Sequence, residues 1–219
     1  MQTNDKIKIR SEALSVLFAG RDTTASLLTN VWFELSKRPD IWARLSEEVD
    51  TLNGEKPSYE ELKNMKYLRA VLNESQRLHP IVPATGRYAR EDTVLPLGGG
   101  DDEKSPILVK KGQLVMFVLY AMHRRKELYG EDADIFRPER WLDTEDQKGL
   151  RMGWDYLPFS GGPRVCIGRE SLSSRTLLLS TQPLLITHLP YAHLFCIPLR
   201  ARSWTLSCVL THLKQFLCD

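Results

Sequence analysis

No stretch of this chain reaches the roughly 18 consecutive apolar residues that a membrane-crossing helix requires, so no such helix is expected. Met1-Gln2-Thr3-Asn4-Asp5 carries no apolar run, so neither a signal peptide nor an anchor is expected at that end. The glycine run Gly98–Gly100 lacks the following Lys-Ser/Thr of a phosphate-binding loop, and Asp101, Asp102 and Glu103 would repel a phosphate. The four cysteines, Cys166, Cys196, Cys208 and Cys218, form no C-x-x-C pair, which argues against a zinc site. A net charge of +2 leaves no excess for a nucleic-acid stripe. Internal repeats are absent. Acid is also nearly missing from one end: 27 of the 28 acidic residues precede position 171, and only Asp219 follows. Pro183, Pro190 and Pro198 would interrupt any long helix there. The chain therefore divides into residues 1–170 and an atypical Leu/Ser/Thr-rich tail, 171–219, expected to be poorly ordered. A shifted reading frame or altered splice accounts for that tail; the rival is a Leu-rich membrane-surface segment, which should show a periodic apolar face.

What the sequence does hold is concentrated around one cysteine. Phe159-Ser160-Gly161-Gly162-Pro163-Arg164-Val165-Cys166-Ile167-Gly168 reads F-x-x-G-x-R-x-C-x-G. Glycines let the backbone bend tightly around the sulfur, because they tolerate positive φ and close approach. A sulfur so framed can accept backbone N–H hydrogen bonds and keep its thiolate charge. The plain alternative is a small apolar cysteine in a Gly/Pro loop.

Three further motifs lie upstream. Ala19-Gly20-Arg21-Asp22-Thr23-Thr24 sits inside a helical pattern over about 5–37, with apolar residues mostly three or four apart. Gly20 and its polar neighbours are poor helix formers, so a widened groove is expected there, or else a kinked core helix with Asp22 solvated. Ser58-Tyr59-Glu60-Glu61 is a capping box opening a helix that stops at His79, before Pro80. Within it Glu74 and Arg77, three apart, share a face, as a buried pair or an exposed one. Phe136-Arg137-Pro138-Glu139-Arg140-Trp141 follows. Helices are expected over 5–37, 40–52 and 58–79, and strands near 85–95, 106–109 and 113–119. One hairpin should turn at Gly98–Gly100 and a second at Lys110-Lys111-Gly112. Glu47-Glu48 reads as a solvated helix face.

These four motifs, in this order, resemble those of the haem-thiolate cytochromes P-450 over residues 1 to about 169. The resemblance implies a mainly α fold with a small β component, the C-terminal portion of that fold, truncated at the N-terminus. It implies haem b, with Cys166 as axial ligand to iron, a thiolate that pushes electron density onto the metal. Phe159, Gly162 and Gly168 would shape the cofactor loop. Thr23 would hydrogen-bond the oxygen at the haem, and Asp22 would relay protons. Arg87 and Arg164 would face the haem propionates, with His123 a lower-ranked contact. Glu74, Arg77 and Arg140 would form a buried structural network. Leu95-Pro96-Leu97-Gly98-Gly99-Gly100, Met122-His123-Arg124-Arg125 with Tyr129-Gly130, and Trp154-Asp155-Tyr156-Leu157-Pro158-Phe159 look like the fungal alkane and fatty-acid hydroxylases. That branch implies terminal hydroxylation of a hydrophobic small molecule, an NADPH-dependent reductase as electron donor, no nucleic acid, and the endoplasmic reticulum membrane. The competing reading is a non-catalytic truncated fragment with weak or no haem binding. The family continues C-x-G-x-x-[FL]-A, whereas Ser171 and Leu172 stand at the last positions here.

Overall fold

A computed structural model describes residues 5–144, 148–151 and 153–169, so the readings made of the tail lie outside the described residues. Helix α1, Lys6–Leu35, opens on Asp5, whose carboxylate accepts from the N–H groups of Ile7 and Lys8. Its buried positions begin only at Thr24 and continue through Leu27, Leu28, Val31, Glu34 and Leu35, one face at helical spacing. Ile9, Leu14, Leu17 and Phe18, in the same apolar pattern, are exposed. The groove expected at Gly20–Thr24 is not a break, because the helix runs through it. The Thr23 hydroxyl instead donates to the Ala19 carbonyl and that of Thr24 to the Gly20 carbonyl. Such back-bonding satisfies the hydroxyl locally without ending the helix.

Helix α2, Pro39–Asp50, starts on a proline whose missing N–H costs nothing at a helix start. It buries Ile41, Leu45 and Val49, four apart. The single helix expected over 58–79 is two: α3, Tyr59–Asn64, and α4, Lys66–Leu78. The capping box of Ser58 and Glu61 closes α3 in both directions. Met65 then leaves helical geometry at ψ 87°, its side chain buried. Glu48 explains why the break holds. Its carboxylate accepts from the N–H of Tyr67 at 2.9 Å and of Leu68 at 2.7 Å, two of the unpaired donors of the first turn of α4. Glu48 is therefore not part of a solvated face; it caps α4 from another helix. Glu48→Ala is expected to lower stability by about 1 kcal/mol, as loss of a helix cap does. A thermal melt checks this, and an unchanged midpoint would refute the capping role.

Leu27, Val31, Leu35, Ile41, Leu45, Val49, Leu68, Val71 and Leu72 pack α1, α2 and α4 into one core, joined by Phe136. Helix α4 is buried on nearly all sides, polar Glu74, Ser75, Gln76 and Arg77 included. Four strands follow: β1, Ala84–Tyr88; β2, Thr93–Gly99; β3, Ser105–Val109; and β4, Leu114–Val118. The strand expected over 85–95 is thus divided. β2 and β3 pair as the expected hairpin, with a register shift between Leu95 and Gly99. Pro96, which has no N–H to give, lies in that shift. The second expected hairpin does not form: β4 pairs antiparallel with β1, enclosing the inner hairpin. Gly112, at φ +83°, makes the turn into β4, and its N–H donates to the Ala89 carbonyl rather than to β3. Two short helices, α5 Leu119–Met122 and α6 Lys126–Tyr129, then lead to 3₁₀ turns at Pro138–Trp141 and Gly162–Arg164.

Candidate functional site

The buried centre of the site is a carboxylate with five donors. Glu74 Oε1 accepts from Arg77 Nη2 at 2.8 Å, Arg140 Nε at 2.9 Å and the Arg137 N–H at 2.9 Å. Its Oε2 accepts from Arg77 Nε and from the Trp141 indole, both at 2.9 Å. Side chains of Glu74 and Arg77 are fully buried, and Arg140 nearly so. Two guanidinium forks on one carboxylate leave a positive excess, which Asp132 Oδ2 offsets at 3.3 Å from Arg140. The remaining guanidinium N–H groups reach backbone carbonyls. Arg77 Nη1 donates to His123 and Ala133, and Arg140 Nη1 to Tyr129. The pair is therefore buried, and the exposed alternative is set aside by its geometry.

This centre is clipped to the segment that leads into the cysteine loop. The Tyr129 hydroxyl donates to the Asp155 carbonyl at 2.6 Å, and the Tyr156 hydroxyl to the Asn73 carbonyl at 2.9 Å. Burial pushes the Tyr129 phenol up to about 12 and the Tyr156 phenol well above its usual range, so both stay protonated donors. The Tyr156 ring lies between His123 and Trp141, with centroids 5.2 and 4.6 Å away. The Leu157 N–H donates to His123 Nε2 at 3.1 Å. Burial, helped by the Arg77 and Arg124 cations, lowers the His123 pKa to about 4, so the ring is neutral. His123 consequently does not sit where a propionate contact was expected. Its ring is buried inside the protein, and its free lone pair is already used by Leu157.

The loop itself folds on its own backbone. Cys166 N–H donates to the Phe159 carbonyl at 2.9 Å, Val165 N–H to Gly162 at 3.1 Å, and Arg169 N–H to Cys166 at 3.3 Å. The Phe159 side chain is buried behind the loop, and Cys166 is an exposed free thiol. Gly162 takes φ +66°, where side chains are strained. At Gly161 a Cβ would lie 3.1 Å from the edge of the exposed Trp154 ring, a tight contact that Trp154 would have to yield to. Gly168 has neither constraint, since a Cβ would meet Cys166 Sγ at an ordinary 3.8 Å. Among the described residues no N–H donates to the sulfur; the Val165, Cys166 and Arg169 donors are engaged in the turn bonds just given.

The structure thus assembles Glu74, Arg77, Arg140 and His123 in one buried cluster, and Phe159, Gly162, Cys166 and Gly168 in one loop. Asp22 and Thr23 stand on α1, where Asp22 is exposed beside Arg21 Nε at 3.3 Å. Arg87 is exposed on β1, with Nη1 donating to the Gly86 carbonyl at 2.7 Å. Arg164 is exposed in its 3₁₀ turn. No hydrogen bond joins these four to either cluster among the described residues. Sequence reading gave Tyr129, Tyr156 and Trp141 no role; the motif strings that hold them marked their segments but not their bonds.

A helical core, nested strand pairs and a cysteine loop clipped to a buried Glu–Arg–Arg cluster define the cysteine-bearing, C-terminal portion of a haem-thiolate fold. The chain belongs to the cytochrome P-450 family, whose model matches residues 2–172. It is 51% identical over 174 residues to cytochrome P-450 monooxygenase FPY7 of Fusarium mangiferae, an alignment covering 80% of this chain and 32% of that protein. Cytochrome P-450 52A5 of Candida maltosa is 50% identical over 176 residues, covering 77% of this chain and 33% of its own length. Cytochrome P-450 monooxygenase fsdH of Fusarium heterosporum is 48% identical over 178 residues, covering 81% and 30%. The chain therefore spans about a third of the length of the curated relatives it matches.

Proposed function

We propose that this chain carries the cysteine-ligand part of a monooxygenase that inserts one oxygen atom at the terminal carbon of a long-chain alkane or fatty acid. The observation that carries the reading is Cys166, exposed on a glycine-bent loop whose backbone is tied through Leu157 and His123 to the buried cluster. The residues fit haem b. Val165 and Ile167 flank the thiol with exposed apolar side chains, Ile167 fully so, and Arg164 adds an exposed cation beside them. A soft sulfur donor, apolar contact and a guanidinium are what iron, macrocycle and propionate each require. On this reading the haem-binding part falls within residues 1–170 of the sequence.

Haem held by Cys166 would supply oxygen activation, with two electrons from an NADPH-dependent reductase. The chain's own residues do the rest. Arg87 and Arg164 would hold the propionates of that haem. Thr23 Oγ1, parked on the Ala19 carbonyl, is the hydroxyl that passes a proton, and the exposed Asp22 carboxylate resupplies it from solvent. The resemblance of Leu95–Gly100 and Trp154–Phe159 to fungal alkane and fatty-acid hydroxylases supports the substrate class. The same branch supports the endoplasmic reticulum membrane, although no helix among the described residues is long and apolar enough to cross one.

A second reading, a non-catalytic piece, is favoured by the exposed apolar residues Ile9, Leu14, Leu17 and Phe18 of α1. One experiment separates the two. Titrate haem into the 219-residue chain, follow the Soret band and the carbon-monoxide difference spectrum, and assay a fatty acid with reductase. A thiolate-type band with hydroxylated product supports the monooxygenase; no Soret band supports the non-catalytic piece.

A further inference from the structure

We infer that His123 is a positioning residue for Cys166: its ring is the strut that fixes the backbone at Leu157, and through Phe159 the cysteine, against the Glu74–Arg77 pair. The inference rests on the reading of Cys166 as the haem ligand. The links form an unbroken series. Arg77 is held by Glu74 and donates Nη1 to the His123 carbonyl at 2.7 Å. The His123 ring accepts the Leu157 N–H at 3.1 Å, and two residues on, the Phe159 carbonyl accepts the Cys166 N–H at 2.9 Å. Tyr129 and Tyr156 hold Asp155 and Asn73, but His123 makes the link nearest the loop. One residue thus bonds the buried pair with its backbone and the loop's approach with its side chain.

The tautomer follows from this geometry. Because Nε2 accepts, the ring proton is on Nδ1, a fully buried donor for which no partner of good geometry is present among the described residues. The other tautomer would place a proton on Nε2 facing the Leu157 N–H, donor against donor. The ring therefore keeps the tautomer that serves the cysteine loop and leaves its own N–H poorly matched.

The test uses the full chain with and without haem. In the wild type, nitrogen chemical shifts of His123 should show Nδ1–H; an Nε2–H tautomer overturns the strut without any variant. His123→Leu keeps bulk and removes the acceptor, and His123→Gln returns a carbonyl acceptor. In haem-free chain, His123→Leu should speed hydrogen exchange at the Leu157 amide by about tenfold, as loss of one buried hydrogen bond does, while Leu68 is unchanged. In loaded chain it should shift part of the carbon-monoxide band from the thiolate to the neutral-thiol form, and His123→Gln should reverse both effects in part. Wild-type exchange and an intact band in His123→Leu overturn the proposal. If His123→Leu does not fold, the wild-type tautomer decides. If Leu157 exchange responds but the wild type never gives a thiolate band, the ligand reading of Cys166 falls and the strut stands.

Discussion

Glu74→Ala should be the most damaging single substitution in the described fold, costing about 3–5 kcal/mol, the usual result of removing one partner from a buried ion pair. The magnitude follows from what is left behind. Two guanidinium groups, of Arg77 and Arg140, would remain buried without their carboxylate, and the Trp141 indole N–H and Arg137 N–H would lose their acceptor. Glu74→Gln keeps the shape but turns an N–H₂ toward donors, so it should fall between wild type and alanine. Denaturant unfolding followed by circular dichroism measures both. Lys126→Ala is the control. It breaks an ion pair with Glu131 whose side chains are 58% and 87% exposed, and such pairs contribute only about 0–1 kcal/mol. Equal midpoints for Glu74→Ala and Lys126→Ala would remove the cluster from its place at the centre of the fold.

Cys166→Ser should abolish the thiolate-type carbon-monoxide band and all hydroxylation while leaving the fold nearly untouched. Cys166 is exposed and serine is close to it in size, so the stability effect should stay within about 0.5 kcal/mol. An oxygen donor cannot supply the electron push of a thiolate, so the spectrum and the activity should change even if haem still binds. The two measurements must diverge for the assignment to hold. A band that survives in Cys166→Ser would transfer ligation to Cys196, Cys208 or Cys218 and sink the site as described.

Local chemistry made part of this structure legible in the sequence. The Ser58–Glu61 capping box and the stop before Pro80 are each written within one turn, and each stands as read. The Glu74, Arg77 and Arg140 cluster was reachable through motif order, though not through composition. What escaped has one physical character: a donor and an acceptor far apart in sequence. The break at Met65 has no glycine or proline to announce it, because its cause is Glu48 on a different helix. His123 read as a lower-ranked propionate contact because nothing local says that Arg77 and Leu157 will bond it. The strand pairing failed likewise: Lys110–Gly112 has good turn chemistry, but a turn does not choose which strand its exit will join.

The nesting of the strands has a consequence for the order of folding. Ala84 and Val118, which end up paired, begin far apart along the chain. Closing so long a loop directly carries a large entropic cost, and it rises with the number of free residues between the ends. The inner hairpin, closed at Gly99 and Ser105, removes most of those residues from the count once formed. The outer pair then closes over a short effective loop, with Ala89 and Gln113 already adjacent through their hydrogen bond. Loop-closure entropy therefore predicts sequential folding of this region, inner pair before outer. A substitution that weakens the Gly98–Gly100 turn should slow the arrival of Arg87, which is placed only when the outer strands pair it with Val115.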